Sequence, residues 1–153
     1  MLRKARSFLR LPWADQALFF GVYGLLGLAR LAILTLPFCW ISPWLGESVQ
    51  LAGRSPLLNP GQARAARRAG RLVRMAARYT PWESKCLAQA MVAKFLLVGW
   101  RVPYAFYFGV ARDPREGMKA HAWVCAGPVY VTGGNGFASY AVVSVYVGDQ
   151  ALS

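Results

Sequence analysis

The chain changes its period once. Up to Gly99 its apolar residues recur at helical spacing; from Val102 onward, alternation of the kind found in strands takes over. Helices followed by segregated strands leave few architectures, of which an α+β fold with helices packed on an antiparallel sheet is the simplest. The strand half reads as about four segments. In "VPYAFYFGVAR", Tyr104, Phe106 and Phe108 alternate with Ala105, Tyr107 and Gly109. The strands "AHAWVCA" and "VYVTGG" follow, each after a short turn ("DPREGMK", then "GP"), and "YAVVSVYVG" comes last, after the loop "NGFAS". Turns this short join antiparallel neighbours.

The helical half is punctuated by proline. Pro12 near a first turn and Asp15 soon after predict a helix from about 13 to 36 that stops near Pro37. A shorter helix is expected over 38–46, and a loop or hinge over 47–60, "ESVQLAGRSPLLNP". Residues 61–79 are rich in Ala and Arg, both strong helix formers. They give an apolar strip of Leu72, Val73, Met75 and Ala76 and a guanidinium face of Arg64, Arg67, Arg68, Arg71, Arg74 and Arg78. Beyond Thr80-Pro81, Ser84 is a candidate N-cap. Cys86 then falls in the first turn of a helix running to about Val98, ended by Gly99. Residues 1–60 thus form an N-terminal helical segment and 61–153 the core, together one folded unit. The first eleven residues, "MLRKARSFLRL", are a basic amphipathic stretch.

Charge narrows the partners. Lys and Arg number 18 against 6 Asp and Glu, a formal +12, which suits an anionic partner without choosing one. The arginine face is either a surface for that partner or a solvated helix face. Residues 17–29 are uncharged and Arg30 follows. Spanning a bilayer takes about 20 apolar residues, and joining this run to 31–46 would set Arg30 near mid-bilayer. The stretch is therefore read as a buried helix of a cytoplasmic protein, with peripheral contact to the inner membrane face as the other reading. Three cysteines (Cys39, Cys86, Cys125) without a CxxC pair favour a reducing compartment. A single histidine makes a zinc site improbable, and no cofactor motif is present; "GGNG" lacks the ending of a phosphate loop.

One pair of residues can carry chemistry. A helix N-terminus favours thiolate over thiol, and a nearby imidazole can take the proton. Cys86 occupies such a position, and His121, the only histidine, lies on an expected strand. The bland readings are a small core thiol and a packed aromatic. Cys125 and Cys39 are read as core. Gln89, one turn beyond Cys86, could line an oxyanion site, with the Cys86 backbone N–H the stronger candidate.

The strings "TPWESKCLAQAMVAKFLLVGWRVPYAFYFGVA" and "AHAWVCAGPVYVTGG" resemble the transglutaminase-like leader peptidases of lasso-peptide biosynthesis. Cys-Leu-x-x-Ala from Cys86 and His-Ala-Trp-Val from His121 carry the resemblance; "LPWADQALFFGVYGLLGLARLAILTLPF" is similar to the helical start of that family. The resemblance implies a papain-like cysteine endopeptidase, with Cys86 as nucleophile and His121 as base, that removes the leader from a ribosomally made precursor. It also implies a separate small leader-binding protein, since no room for that domain precedes residue 13, and a separate ATP-dependent macrocyclase. No nucleic acid, metal or cofactor is expected. An acyltransferase using the same pair, and a non-enzymatic basic helical module that binds membrane or nucleic acid, are the alternatives. The family's acid, about a dozen residues after the histidine, has no carboxylate counterpart here. A neutral group or the backbone must then orient the imidazole. Unbroken alternation after a two-residue turn puts Thr132 and Gly134 on the face of His121. Asn135 ranks first as orienter, Thr132 second and Asp113 third.

Overall fold

The computed structural model of the chain describes residues 8–49 and 57–148. Helix α1 spans Trp13–Thr35. The Pro12 carbonyl accepts from the N–H groups of Asp15 and Gln16 at its start. Leu36, forced extended ahead of Pro37, ends it. The short helix α2, Phe38–Ile41, runs into a 3-10 turn at Ser42–Leu45. Helix α3, Pro60–Ala77, starts on a reciprocal cap that the sequence reading missed: Asn59 accepts from the Gln62 N–H, and the Gln62 side chain accepts from the Asn59 N–H. Helix α4 is Cys86–Gly99.

The sheet has five antiparallel strands rather than about four: β1 (Glu47–Val49), β2 (Ala105–Asp113), β3 (Gly117–Ala126), β4 (Val129–Thr132) and β5 (Ala141–Val147), in the order β1-β5-β2-β3-β4. The addition, β1, falls in the expected loop. Three residues are too short to show alternation, and pairing with Val145, Tyr146 and Val147 of β5 makes them a strand. Residues 50–56 of the expected hinge, residues 1–7 of the basic stretch, and the tail from Asp149 lie outside the described residues.

Helices α3 and α4 pack on β3 and β4, and α1 packs mainly on α3 and α4. One cluster joins Phe19, Val22 and Leu26 of α1, Ala66, Leu72 and Val73 of α3, Ala93 and Leu97 of α4, and Phe106, Ala122, Val124 and Val131 of the sheet. Small residues let backbone meet backbone: Gly70 of α3 leaves no space for a Cβ beside the Val131 carbonyl. Asp15, only 4 % exposed, pins α1 to α3 by accepting from Arg68 Nε at 2.6 Å and Arg71 Nη2 at 3.4 Å.

Two expectations need correcting. The helix at 13–36 is not a buried one. Its inward stripe (Asp15, Phe19, Val22, Leu26, Ala29) is covered, but only 22 % of its most apolar window is buried, and it is long and apolar enough to cross a membrane. Cys39 is exposed, because of the four residues of α2 only Ile41 turns inward.

Candidate active site

Cys86 is the first residue of α4, half-buried at the edge of the core. The N-cap is Lys85, not Ser84, and it provides no side-chain cap. Among the described residues the N–H groups of the first turn are thus left without a side-chain acceptor, and a helix start in that state favours negative charge. The segment leading in is tied at both ends. The Thr80 hydroxyl lies 3.0 Å from the Ala77 carbonyl and 3.1 Å from that of Trp82. Carbonyls only accept, so Thr80 uses its proton there, and Ser84 Oγ, 2.8 Å away, donates to it. Gln89 Nε2 donates to the Ser84 carbonyl at 2.7 Å, so this amide braces the helix entrance and is not aimed at a substrate oxygen.

His121 sits on β3 opposite Gly109 of β2. Four rings form a row across this face of the sheet. Tyr107 and Trp123 stack at 5.4 Å, Trp123 and His121 at 5.7 Å, and His121 and Tyr140 at 4.9 Å. Gly109 makes room for the row: a Cβ there would lie 2.8 Å from Tyr140 Cβ and 2.9 Å from the Trp123 ring.

The imidazole is oriented by a main-chain oxygen. His121 Nε2 lies 2.9 Å from the Gly133 carbonyl, twelve residues on. A carbonyl cannot donate, so Nε2 carries the proton, and in the neutral ring Nδ1 is left as the basic nitrogen. Gly133 can be no other residue without strain. Its φ is +70°, and a Cβ would come within 2.7 Å of both the Ala122 oxygen and Trp123 Cβ.

The three side chains ranked as orienters stand elsewhere. Gly127-Pro128 forms the expected two-residue turn, giving Ala126↔Val129 and Cys125↔Tyr130, but the next pair is Val124↔Thr132. Val131 is an extra residue, a bulge. It moves Thr132 from the face of Trp123 and His121 to that of Val124, where its hydroxyl is buried without a partner among the described residues. Asn135 is exposed and makes no hydrogen bond to the ring. Asp113 pairs with Gly117 at the hairpin tip, four residues along β2 from Gly109 and so about 13 Å away. Lys119 Nζ donates to it at 2.9 Å, and the N–H groups of Arg115 and Glu116 at 2.8 and 3.0 Å; these hold its carboxyl down at about 2.

Helix α4 packs directly on β3, so the thiol and the imidazole stand on touching elements, with no hydrogen bond between them. Catalytic hydrogen bonds are often long before substrate arrives. Cys125 is a different thiol: burial pushes it up to about 12, which keeps it an inert SH. Among the described residues no cluster of His, Cys, Asp and Glu could hold a metal.

A thiol opening a helix and an imidazole on an antiparallel sheet packed beneath it define a class of α+β folds built for cysteine chemistry. The family model described as the transglutaminase-like superfamily matches residues 32–145, and the chain belongs to that superfamily. It covers cysteine peptidases and acyltransferases, and the fold is typically that of a cysteine-dependent enzyme. No curated protein and no solved structure matches the chain.

Proposed function

We propose that the chain is a cysteine endopeptidase that removes the leader from a ribosomally made lasso-peptide precursor. The observation that carries the reading is His121 Nε2 held by the Gly133 carbonyl, because it leaves Nδ1 to serve a thiol. The Cys-Leu-x-x-Ala and His-Ala-Trp-Val strings support the narrower assignment. Nδ1 takes the Cys86 proton, and the thiolate adds to the carbonyl carbon between leader and core. The oxyanion is met by uncapped N–H groups at the start of α4. The imidazolium then protonates the leaving amine, the C–N bond breaks, and an acyl-thioester on Cys86 is left. Water, deprotonated by Nδ1, hydrolyses it and restores the thiol.

The expected helpers are a separate leader-binding protein and an ATP-dependent macrocyclase. On α3, Arg68 and Arg71 hold Asp15, and Arg74 donates to the Val131 carbonyl. Arg64, Arg67 and Arg78 are exposed without an acidic partner among the described residues, which suits an acidic leader or its carrier.

The test is mass-spectrometric cleavage of precursor by the purified chain with the leader-binding protein. Cys86→Ala and His121→Ala should each abolish cleavage while circular dichroism stays unchanged. Full cleavage by folded Cys86→Ala would sink the proposal. A leader amide in place of the free leader acid would instead point to acyl transfer to an amine.

A further inference from the structure

Helix α1 presents a second, outward surface, on which only the Phe20 ring meets another ring outside the helix among the described residues, that of Phe8 at 5.9 Å. Trp13, Ala17, Phe20, Gly24, Leu28, Leu31 and Leu34 are all exposed, at spacings that keep them on one face. Both charged residues of the helix turn away from it. Asp15 is buried against Arg68 and Arg71, and Arg30 reaches toward Glu83 at 3.9 Å. The hydroxyl of Thr35 is occupied by the Leu31 carbonyl at 2.8 Å. At Gly21 and Gly24 nothing lies within 4 Å of where a Cβ would stand, so the face is open. The outward stripe therefore offers no charge and no free hydroxyl over about 34 Å of helix. Tryptophans mark both limits: Trp13 is 84 % exposed at the start, and Trp40 (67 %) and Trp44 (77 %) follow the end. Arg3, Lys4, Arg6 and Arg10 are the four cations within the ten residues that precede Leu11.

We propose that this face of α1 docks on an anionic lipid bilayer, lying in the interface. A bilayer needs no hydrogen bonds from the stripe, accepts tryptophan at its polar boundary, and attracts cations that precede an apolar helix in the sequence. The helix lies on the surface and does not span it, since its inner stripe packs on α3 and α4 and holds the Asp15 ion pairs inside the protein. The docking is independent of the peptidase reading, because Leu28 and Leu31 are exposed on α1, whereas Cys86 and His121 stand on α4 and β3.

The test is flotation of the full chain with vesicles of phosphatidylcholine alone and of phosphatidylcholine mixed with phosphatidylglycerol. The chain should float with the mixed vesicles at low salt, float poorly with the neutral ones, and be partly released by high salt. Brominated phospholipid should quench its tryptophan fluorescence. Replacing both Leu28 and Leu31 by Gln should weaken partition about a hundredfold, through two lost burials. Phe20→Gln, checked by near-ultraviolet circular dichroism, is the second variant if the double one misfolds. The proposal is overturned if the parent stays unfloated with anionic vesicles. It is equally overturned if the variants float as well as the parent, or if light scattering of the lipid-free chain finds a dimer that the same substitutions dissolve.

Discussion

The two halves of the candidate site are fixed by opposite means. The approach to Cys86 is tied by side chains: Thr80 to Ser84, and Gln89 back to the Ser84 carbonyl. The His121 half is oriented by main chain, through a carbonyl whose position depends on a bulge at Val131 and a positive φ at Gly133. Side-chain ties weaken piecemeal when residues change. A backbone acceptor has no side chain to remove, so it can be disturbed only by forcing the chain to move.

The sharpest way to break the second half is Gly133→Ala. The new methyl group would meet the Ala122 oxygen and Trp123 Cβ at 2.7 Å, on a φ of +70°. A destabilisation of about 2–4 kcal/mol is expected from strain and overpacking together. Cleavage should fall about a hundredfold, because the ring loses its orientation. Gly136→Ala separates the two causes: its φ is +82°, but nothing lies within 4 Å of a Cβ. It should cost about 1 kcal/mol in strain and leave cleavage nearly intact. Nitrogen chemical shifts of the ring make the distinction direct, since His121 is the sole histidine. Gly133→Ala should erode the Nε2–H tautomer and Gly136→Ala should not. The same tautomer in both variants would mean that the carbonyl is not what sets it.

Much of this arrangement could be read from the chain, and what could not has identifiable causes. The switch of period near Val102 and the proline stops gave α1, α3 and α4 to within a residue or two, and four of the five strands. Cys86 at a helix start was visible because Thr80-Pro81 ends the preceding helix. The acceptor for His121 was not visible as a residue type, since every residue carries a carbonyl. The only trace was the pair Gly133-Gly134, twelve and thirteen residues after His121, a sign of close backbone approach. Alternation placed Thr132 on the wrong face because a bulge leaves no periodic mark. Helix α1 was misjudged for a related reason. It is apolar on every side, and such a pattern does not say which side the protein covers.

Gln89→Ala probes the Cys86 half with a smaller effect. It removes the 2.7 Å bond to the Ser84 carbonyl and should cost about 1 kcal/mol in stability. Cleavage should fall by up to about tenfold as the start of α4 loosens. If the halves are independent, the His121 tautomer stays as in the parent while the alkylation rate of Cys86 changes. A changed tautomer would show that the two supports are coupled.

The least effect is expected at the carboxylate of the hairpin tip, Asp113. Asp113→Asn should leave cleavage unchanged, because its oxygens are taken up by Lys119, Arg115 and Glu116 at the hairpin tip. Its influence belongs to acid stability, and the sign follows from the direction of its shift. The folded carboxyl is held at about 2, below the ordinary 3.8, so the folded state favours the ionised form. That stabilisation is fully present above the ordinary value and is lost as pH falls through about 2. It should be small, because the site is open to solvent and salt. Urea unfolding of the parent and of Asp113→Asn should therefore differ slightly at neutral pH and converge at the acid end. Asn135→Ala, exposed and unbonded to the ring, should match the parent in both assays. A folded but inactive Asp113 variant would overturn the backbone assignment, since it would require the hairpin tip to fold back some 13 Å along β2 and supply the carboxylate during turnover.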